Sequence, residues 1–421
     1  MIGWLEKKGF FHLLSANFLT QFLQFGSTLL VAKLLSRVEL GEIRILQSYA
    51  SLFVVIAGFG FNAAVLKSCS ENREDSDRLS ILRLALCRAA ITVGAVLCIV
   101  AVLCLTGIVS SSRHLSLWLL VYCLMIPFAV TTDILCNFLQ ALKRIKQMAR
   151  AQALIRAQSF VIIVLSTWRW GFKGFVFATI AAYIAGMVRV LWQVGIKFLR
   201  VPKMPAPAAF FHIALFSVLA NGVATLGQYA DMFVLDHFSK DRAEIGCYGL
   251  ATMFVIAASQ ITATVQAITV PYFTENAGDE VWFGRQLMKN QIRLVALSVL
   301  VAAVLFGVAA VLIPVIYGPT YASTLVYLAI LLLRYVVISA CAMMGVALFG
   351  LGFVRYSFIA VAVSTPVGLL LSYFLLRRLG ISGVAWAQVL ASLANLAMVT
   401  VLLRLALRRS YHSSEERKGD A

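Results

Sequence analysis

The segment QIRLVALSVLVAAVLFGVAAVLIPVI, residues 291–316, decides the fold class. Beyond Arg293 it carries no charge, and as a helix it is long enough to cross a hydrocarbon core of roughly 30 Å. A run that is apolar on every side has no face to offer water, so it reads as a lipid-embedded helix. Runs of the same kind recur outward in both directions. We place spans at about 10–31, 44–66, 84–109, 115–141, 151–169, 174–198, 210–235, 244–270, 291–316, 322–350, 355–376 and 382–407. Pro127 and Pro366 fall inside two of them and are candidate kink sites, since neighbouring helices can satisfy the carbonyls they free.

Composition agrees. Hydrophobic residues make up 61% of the chain and charged residues 13%, against about 45–50% and 25% in soluble domains. No large hydrophilic block separates the spans, which leaves no room for a soluble catalytic domain. The formal charge of +18 could suggest nucleic acid. The basic residues, however, sit in short loops beside apolar runs, as the positive-inside rule requires of a membrane protein. With both termini in the cytoplasm, that side holds roughly twice as many Lys and Arg as the other. Lys7 and Lys8 precede a long span with no small-residue cleavage site, so this span reads as a retained helix and not a signal peptide. Lys33, Arg37 and Arg44 run against the rule around the first outer loop. Either the inner excess outvotes them or they face a polar cavity. The eight cysteines form no CxxC pair and the five histidines have no ligand-spaced partner, so no metal, disulfide or cofactor is expected.

The chain looks duplicated. GFKGFVFATIAAYIA at 171–185 aligns with GISGVAWAQVLASLA at 380–394, pairing Gly171, Gly174, Ala178, Ala182 and Ala185 with Gly380, Gly383, Ala387, Ala391 and Ala394. In the first and seventh spans, Asn17 and Gln24 keep the spacing of Asn221 and Gln228, and with one residue inserted Gly41 falls on Gly246. The expected fold is therefore an all-α polytopic membrane protein, with two parallel six-helix repeats around a central cavity. The expected domains are 1–198, a cytoplasmic linker 199–209 containing Pro202, Pro205 and Pro207, and 210–421 with a short cytoplasmic tail.

Polar side chains in the spans fall at helical spacing. Asn17, Gln21, Gln24 and Thr28 share one face, as do Ser217, Asn221, Thr225 and Gln228. Asp133, Asn137 and Gln140 line another face, and Gln388, Ser392 and Asn395 a fourth. Two readings fit each stripe: hydrogen bonding between packed helices, or the wall of a hydrated cavity. Arg334 lies well inside its span, too deep for a helix-end anchor, which makes it a candidate ligand for an anion. Arg88, Arg156 and Arg189 lie nearer span ends, where their stems could reach the interface. With Lys33 and Arg44 they complete the candidate cavity cations. Asp133 and Asp231 are the main intramembrane acids, able either to pair with an arginine or to carry a coupling proton or ion. Cations outnumber acids, so a cavity lined by these groups prefers an anion.

Four stretches resemble the polysaccharide-exporter family, the O-antigen flippases of the superfamily that also holds multidrug and toxin extrusion transporters. They are LLVAKLLSRVELGEIRILQSYASLFVVIAGFGFNAAVLK at 29–67, LANGVATLGQYADMFVLDHFSKDRAEIGCYGLATMF at 219–254, LIPVIYGPTYASTLVYLAILLL at 312–333 and LGISGVAWAQVLASL at 379–393. The resemblance implies a non-enzymatic flippase in the bacterial inner membrane. It would carry an undecaprenyl-pyrophosphate-linked glycan from the cytoplasmic to the periplasmic leaflet by alternating access. H+ or Na+ would be the coupling ion, and a polysaccharide polymerase and chain-length regulator candidate partners beside the membrane lipids. No P-loop GxxxxGK[ST] is present to supply nucleotide energy. A multidrug exporter of the same superfamily is the alternative, but a cavity for cationic drugs would want carboxylates. A membrane polymerase or glycosyltransferase is a further one, though it would ordinarily display a large outer loop carrying its chemistry.

Overall fold

Lipid offers backbone N–H and C=O groups no partners, so a spanning chain must pair them within itself. The computed structural model describes residues 25–71, 74–107, 112–196, 198, 201, 207, 209–275 and 280–419, and among these every regular element is a helix. They are α1 (Phe25–Leu34), α2 (Arg37–Gly58), α3 (Phe61–Ser70), α4 (Asp75–Leu105), α5 (Arg113–Cys123), α6 (Ile126–Ala141) and α7 (Ile145–Val194). There follow α8 (Phe210–Phe238), α9 (Arg242–Glu275), α10 (Glu280–Tyr317), a 3-10 turn at Pro319–Tyr321, α11 (Ala322–Gly350), α12 (Val354–Leu379) and α13 (Ile381–Gly419).

Ten helices among the described residues are long and apolar enough to cross a membrane. One of them, α7, is two arms joined across a kink at Gly171, and so supplies the two spans read at 151–169 and 174–198. Most of the span at 10–31 lies outside the described residues, as does the linker except Val201, Pro207 and Ala209. Two spans are broken. The one at 44–66 divides between α2 and α3, where Phe59 and Gly60 both take positive φ, 45° and 68°. The one at 115–141 divides between α5 and α6, and Pro127 stands in the first turn of α6 instead of kinking a continuous helix. Pro366 does lie inside a helix, α12.

The chain forms two compact units, Met1–Thr225 and Leu226–Ala421, whose boundary falls within α8. In the first, Trp118 packs edge-on against Phe172 at 5.4 Å and Tyr122 stacks on Phe175 at 6.4 Å, tying α5 to the second arm of α7. A Cβ at Gly60 would fall on the Ala214 carbonyl, so the break between α2 and α3 lets α8 approach backbone to backbone. In the second unit Phe273, Phe283, Met343, Val346, Val399 and Leu403 form one buried apolar cluster. Large apolar side chains such as Val311, Val315 and Leu370 remain exposed, as lipid-facing surfaces require.

The duplication is visible in local geometry. Gly171 (φ 56°, ψ −136°) joins the arms of α7, and Gly380 (φ 64°, ψ −150°) joins α12 to α13. Three residues later Gly174 and Gly383 each leave room for a carbonyl from the incoming helix, Ser166 and Leu375 respectively. A second pair is SRVELGE at 36–42 and DRAEIGC at 241–247. Ser36 caps α2 in a reciprocal box with Glu39, whose carboxylate accepts from the Ser36 N–H at 2.9 Å. Asp241 accepts from the Glu244 N–H at 3.0 Å at the start of α9. Each repeat thus opens a spanning helix with an N-cap followed by Arg-x-Glu-aliphatic-Gly.

Candidate functional site

Each unit carries a polar cluster inside its apolar helices. In the first it forms where α3 begins. The break at Phe59 and Gly60 brings the N-terminal turn of α3 against α6, and such helix ends carry unpaired N–H groups and positive partial charge. Asn62 in that turn donates through Nδ2 to Asp133 Oδ2 of α6 at 2.7 Å. Asn137, one turn along, donates to the Asp133 carbonyl at 2.9 Å and to Oδ1 at 3.3 Å. The Asp133 side chain remains exposed. It is held by amides, and among the described residues no cation pairs with it.

The second cluster joins α8, α9 and α11. Tyr248 donates to Asp231 Oδ2 at 2.6 Å, and Asp231 Oδ1 accepts from the Met232 N–H at 2.8 Å. Asp231 and Tyr248 are 2% and 0% exposed, so this carboxylate cannot turn to solvent without displacing its surroundings. The Tyr248 ring lies 5.8 Å from that of Tyr327, whose hydroxyl donates to Glu244 at 2.7 Å. Ser323 donates to the other Glu244 oxygen at 3.0 Å. Arg334 stands two turns along α11 from Tyr327, half-buried and within electrostatic reach of Tyr248. Its Nε is buried without a hydrogen-bond partner, and it makes no ion pair among the described residues. Asp236 and Arg242 form a separate ion pair of 2.6 Å across the turn from α8 to α9.

Glu244 and Asn62 were not picked out from sequence. The register of Glu39 against Glu244 is the signal that could have found the first; Asn62 has none short of the fold. Ser323 and Tyr327, on the same helix as Arg334, are both engaged by Glu244.

The other candidates are dispersed. Arg88 is exposed, with its guanidinium 6.0 Å from the Phe211 ring, a cation–π contact. Arg156 and Lys33 are exposed and Arg189 is half-buried. Arg44 is buried and donates to Gln47 at 2.9 Å. Asn221 and Gln228 are exposed on α8, Asn221 donating to Ser217 at 3.2 Å. Gln388 is buried on α13 with Nε2 unpartnered, and so is Oδ1 of Asn395, two turns along the same face. Asn17, Gln21 and Gln24 lie outside the described residues. Among those described, no group of three or more His, Cys, Asp or Glu could hold a metal ion.

The sequence model of a family described as "Polysaccharide biosynthesis protein" matches residues 7–277. No curated protein matches. Among solved structures, an inward-facing multidrug resistance MATE family transporter of the MOP superfamily superposes with a TM-score of 0.75 at 13% identity, covering 94% of this chain and 96% of that one. The lipid II flippase MurJ, in an inward closed conformation, gives 0.75 at 14% identity over 95% and 90%. An outward-facing MATE family transporter gives 0.68 at 13% over 96% and 97%. All three are transport proteins and none is an enzyme.

Proposed function

Since this chain belongs to the polysaccharide biosynthesis protein family and has the fold of MOP-superfamily transporters, we propose that it flips a lipid-linked oligosaccharide. The cargo is an undecaprenyl-pyrophosphate-linked repeat unit, O-antigen or a related glycan, moved from the cytoplasmic to the periplasmic leaflet of the bacterial inner membrane. Movement is by alternating access coupled to H+ or Na+. The two repeats form the two six-helix bundles, residues 1–198 and 210–421, with both termini in the cytoplasm. A polysaccharide polymerase and a chain-length regulator are the proposed partners.

One observation carries this reading. Arg334 is a guanidinium inside a spanning helix that makes no ion pair among the described residues, with its Nε buried and unpartnered. Holding an uncompensated cation there costs several kcal/mol, on the order of 2.5–3.5 on insertion scales, unless it serves a ligand. Its planar donor fork fits pyrophosphate oxygens in pairs. Asp133 and Asp231 differ in what they can do for coupling. Asp133 is exposed and held by amides, so it can exchange an ion with a hydrated path; Asp231 is locked to Tyr248.

The competing reading is a multidrug exporter, whose cationic cargo Arg334 would repel. Proteoliposomes containing the purified chain distinguish the two. Translocation of a fluorescent short-chain prenyl-pyrophosphate disaccharide is the expected result. Export of lipophilic cations with no movement of that probe would replace the flippase by the exporter.

A further inference from the structure

We propose that the two ends of α7 form an entry site for the glycosyl-phosphate headgroup of a lipid-linked saccharide. The inference rests on the transport reading above and adds where the headgroup first binds. Because the chain turns back at Gly171, the start of the first arm and the finish of the second lie together. Gln147 and Arg150 from one, and Trp192 and Gln193 from the other, line a cleft of about 320 Å³. That lies at the small end of ligand sites, suited to one sugar and its phosphate.

The four side chains divide the recognition of such a group. Arg150 is exposed and presents a donor fork to phosphate oxygens. Trp192 is 86% exposed, leaving an indole face in the open. The C–H face of a pyranose is apolar and weakly positive, which complements the negative face of an aromatic ring. Gln193 is half-buried at the cleft wall and its Oε1 is buried and accepts no hydrogen bond; a turn of this amide toward the cleft would give the carbonyl a sugar hydroxyl as partner. Gln147 supplies a second amide. Lys143, Arg144 and Lys146 lie just before the cleft, and the stretch 143–150 contains no acid; such a basic segment draws anions toward it. The positive-inside rule assigns this end to the cytoplasm, where the cargo is made. An interfacial tryptophan anchor would explain Trp192 alone. It gives no role to the buried Gln193 carbonyl.

The test uses the full-length protein in phosphatidylcholine nanodiscs with calorimetric titration. Three probes are compared: a farnesyl-pyrophosphate-linked disaccharide, farnesyl pyrophosphate without sugar, and short-chain phosphatidylglycerol. The parent should bind the disaccharide probe tightest. Trp192→Ala should weaken that probe at least fivefold and leave the sugarless one unchanged, with Trp192→Phe restoring most of the loss. Arg150→Ala should weaken both pyrophosphates about tenfold. Both side chains are exposed, so neither substitution opens the packed interior. If both alanine variants bind all three probes as the parent does, the entry site is wrong and the transport reading survives. If phosphatidylglycerol binds as tightly as the disaccharide and loses as much in both variants, the cleft is an anionic-lipid site and the sugar assignment falls. A parent that binds neither pyrophosphate overturns the transport reading and this site together.

Discussion

Gly171 and Gly380 adopt the same backbone conformation at the same point of the two repeats, with φ of 56° and 64° and ψ of −136° and −150°. That region is nearly closed to residues with a Cβ. The glycines three residues later, Gly174 and Gly383, both stand against a carbonyl of the incoming helix. Matching letters in two segments are thus matched by one turn built twice. Chance enrichment of small residues in membrane helices would not reproduce both the dihedral angles and the close approach.

The turns should respond alike to substitution. Gly174→Ala and Gly383→Ala each force a methyl onto a carbonyl oxygen and should cost about 1–3 kcal/mol, the range for overpacking. Gly222, in α8 with nothing within 4 Å of a built Cβ, is the control; alanine there should be neutral or stabilising by about 0.5–1 kcal/mol. Thermal unfolding in detergent gives the comparison. Equal melting temperatures for all three variants would remove the steric account.

Arg334→Ala should abolish transport in proteoliposomes while membrane abundance holds. Arg334→Lys should keep partial activity, because an ammonium retains the charge and loses the planar fork. Full transport by the alanine variant would show that this cation does not meet the cargo.

The buried Asp231–Tyr248 pair makes a different forecast. Tyr248→Phe deletes the donor and leaves a carboxylate at 2% exposure short of a partner, which should cost about 1–3 kcal/mol or more. Asp231→Asn keeps an acceptor for the tyrosine and should be milder. Chemical denaturation that finds Tyr248→Phe as stable as the parent would mean the bond contributes nothing.

Asp133 is the candidate ion carrier, and Asp133→Asn keeps its shape while removing the titratable group. The variant should bind cargo as the parent does but lose stimulation by an imposed pH gradient. A gradient response equal to that of the parent assigns coupling elsewhere.

Solvent access along α8 can be read by thiol labelling after the native cysteines are replaced. Cysteines at Asn221 and Gln228 should react with a small hydrophilic reagent, and one at Ala230, which is 2% exposed, should not. Labelling at all three positions would withdraw the hydrated face.

Some of this was legible in the chain itself. Apolar runs such as 291–316 dictate spanning helices, because only a helix hides its own polar backbone in lipid. Glycines at a constant offset reported the duplication, since so few residues tolerate the turn they make. Arg334 and Asp133 stood out because charges are rare where desolvation is expensive. What each group touches was decided only by the packed helices. Asn62 meets Asp133 because a span breaks at Phe59 and Gly60 and turns a half-helix end toward α6. Glu244 takes the hydroxyls of Ser323 and Tyr327 although its counterpart Glu39 closes a capping box on its own helix. The cleft between Arg150 and Trp192 exists because the chain reverses at Gly171. Helical periodicity states which side chains share a face; which neighbour that face meets depends on contacts between residues far apart in the chain, and these arise only when the helices pack.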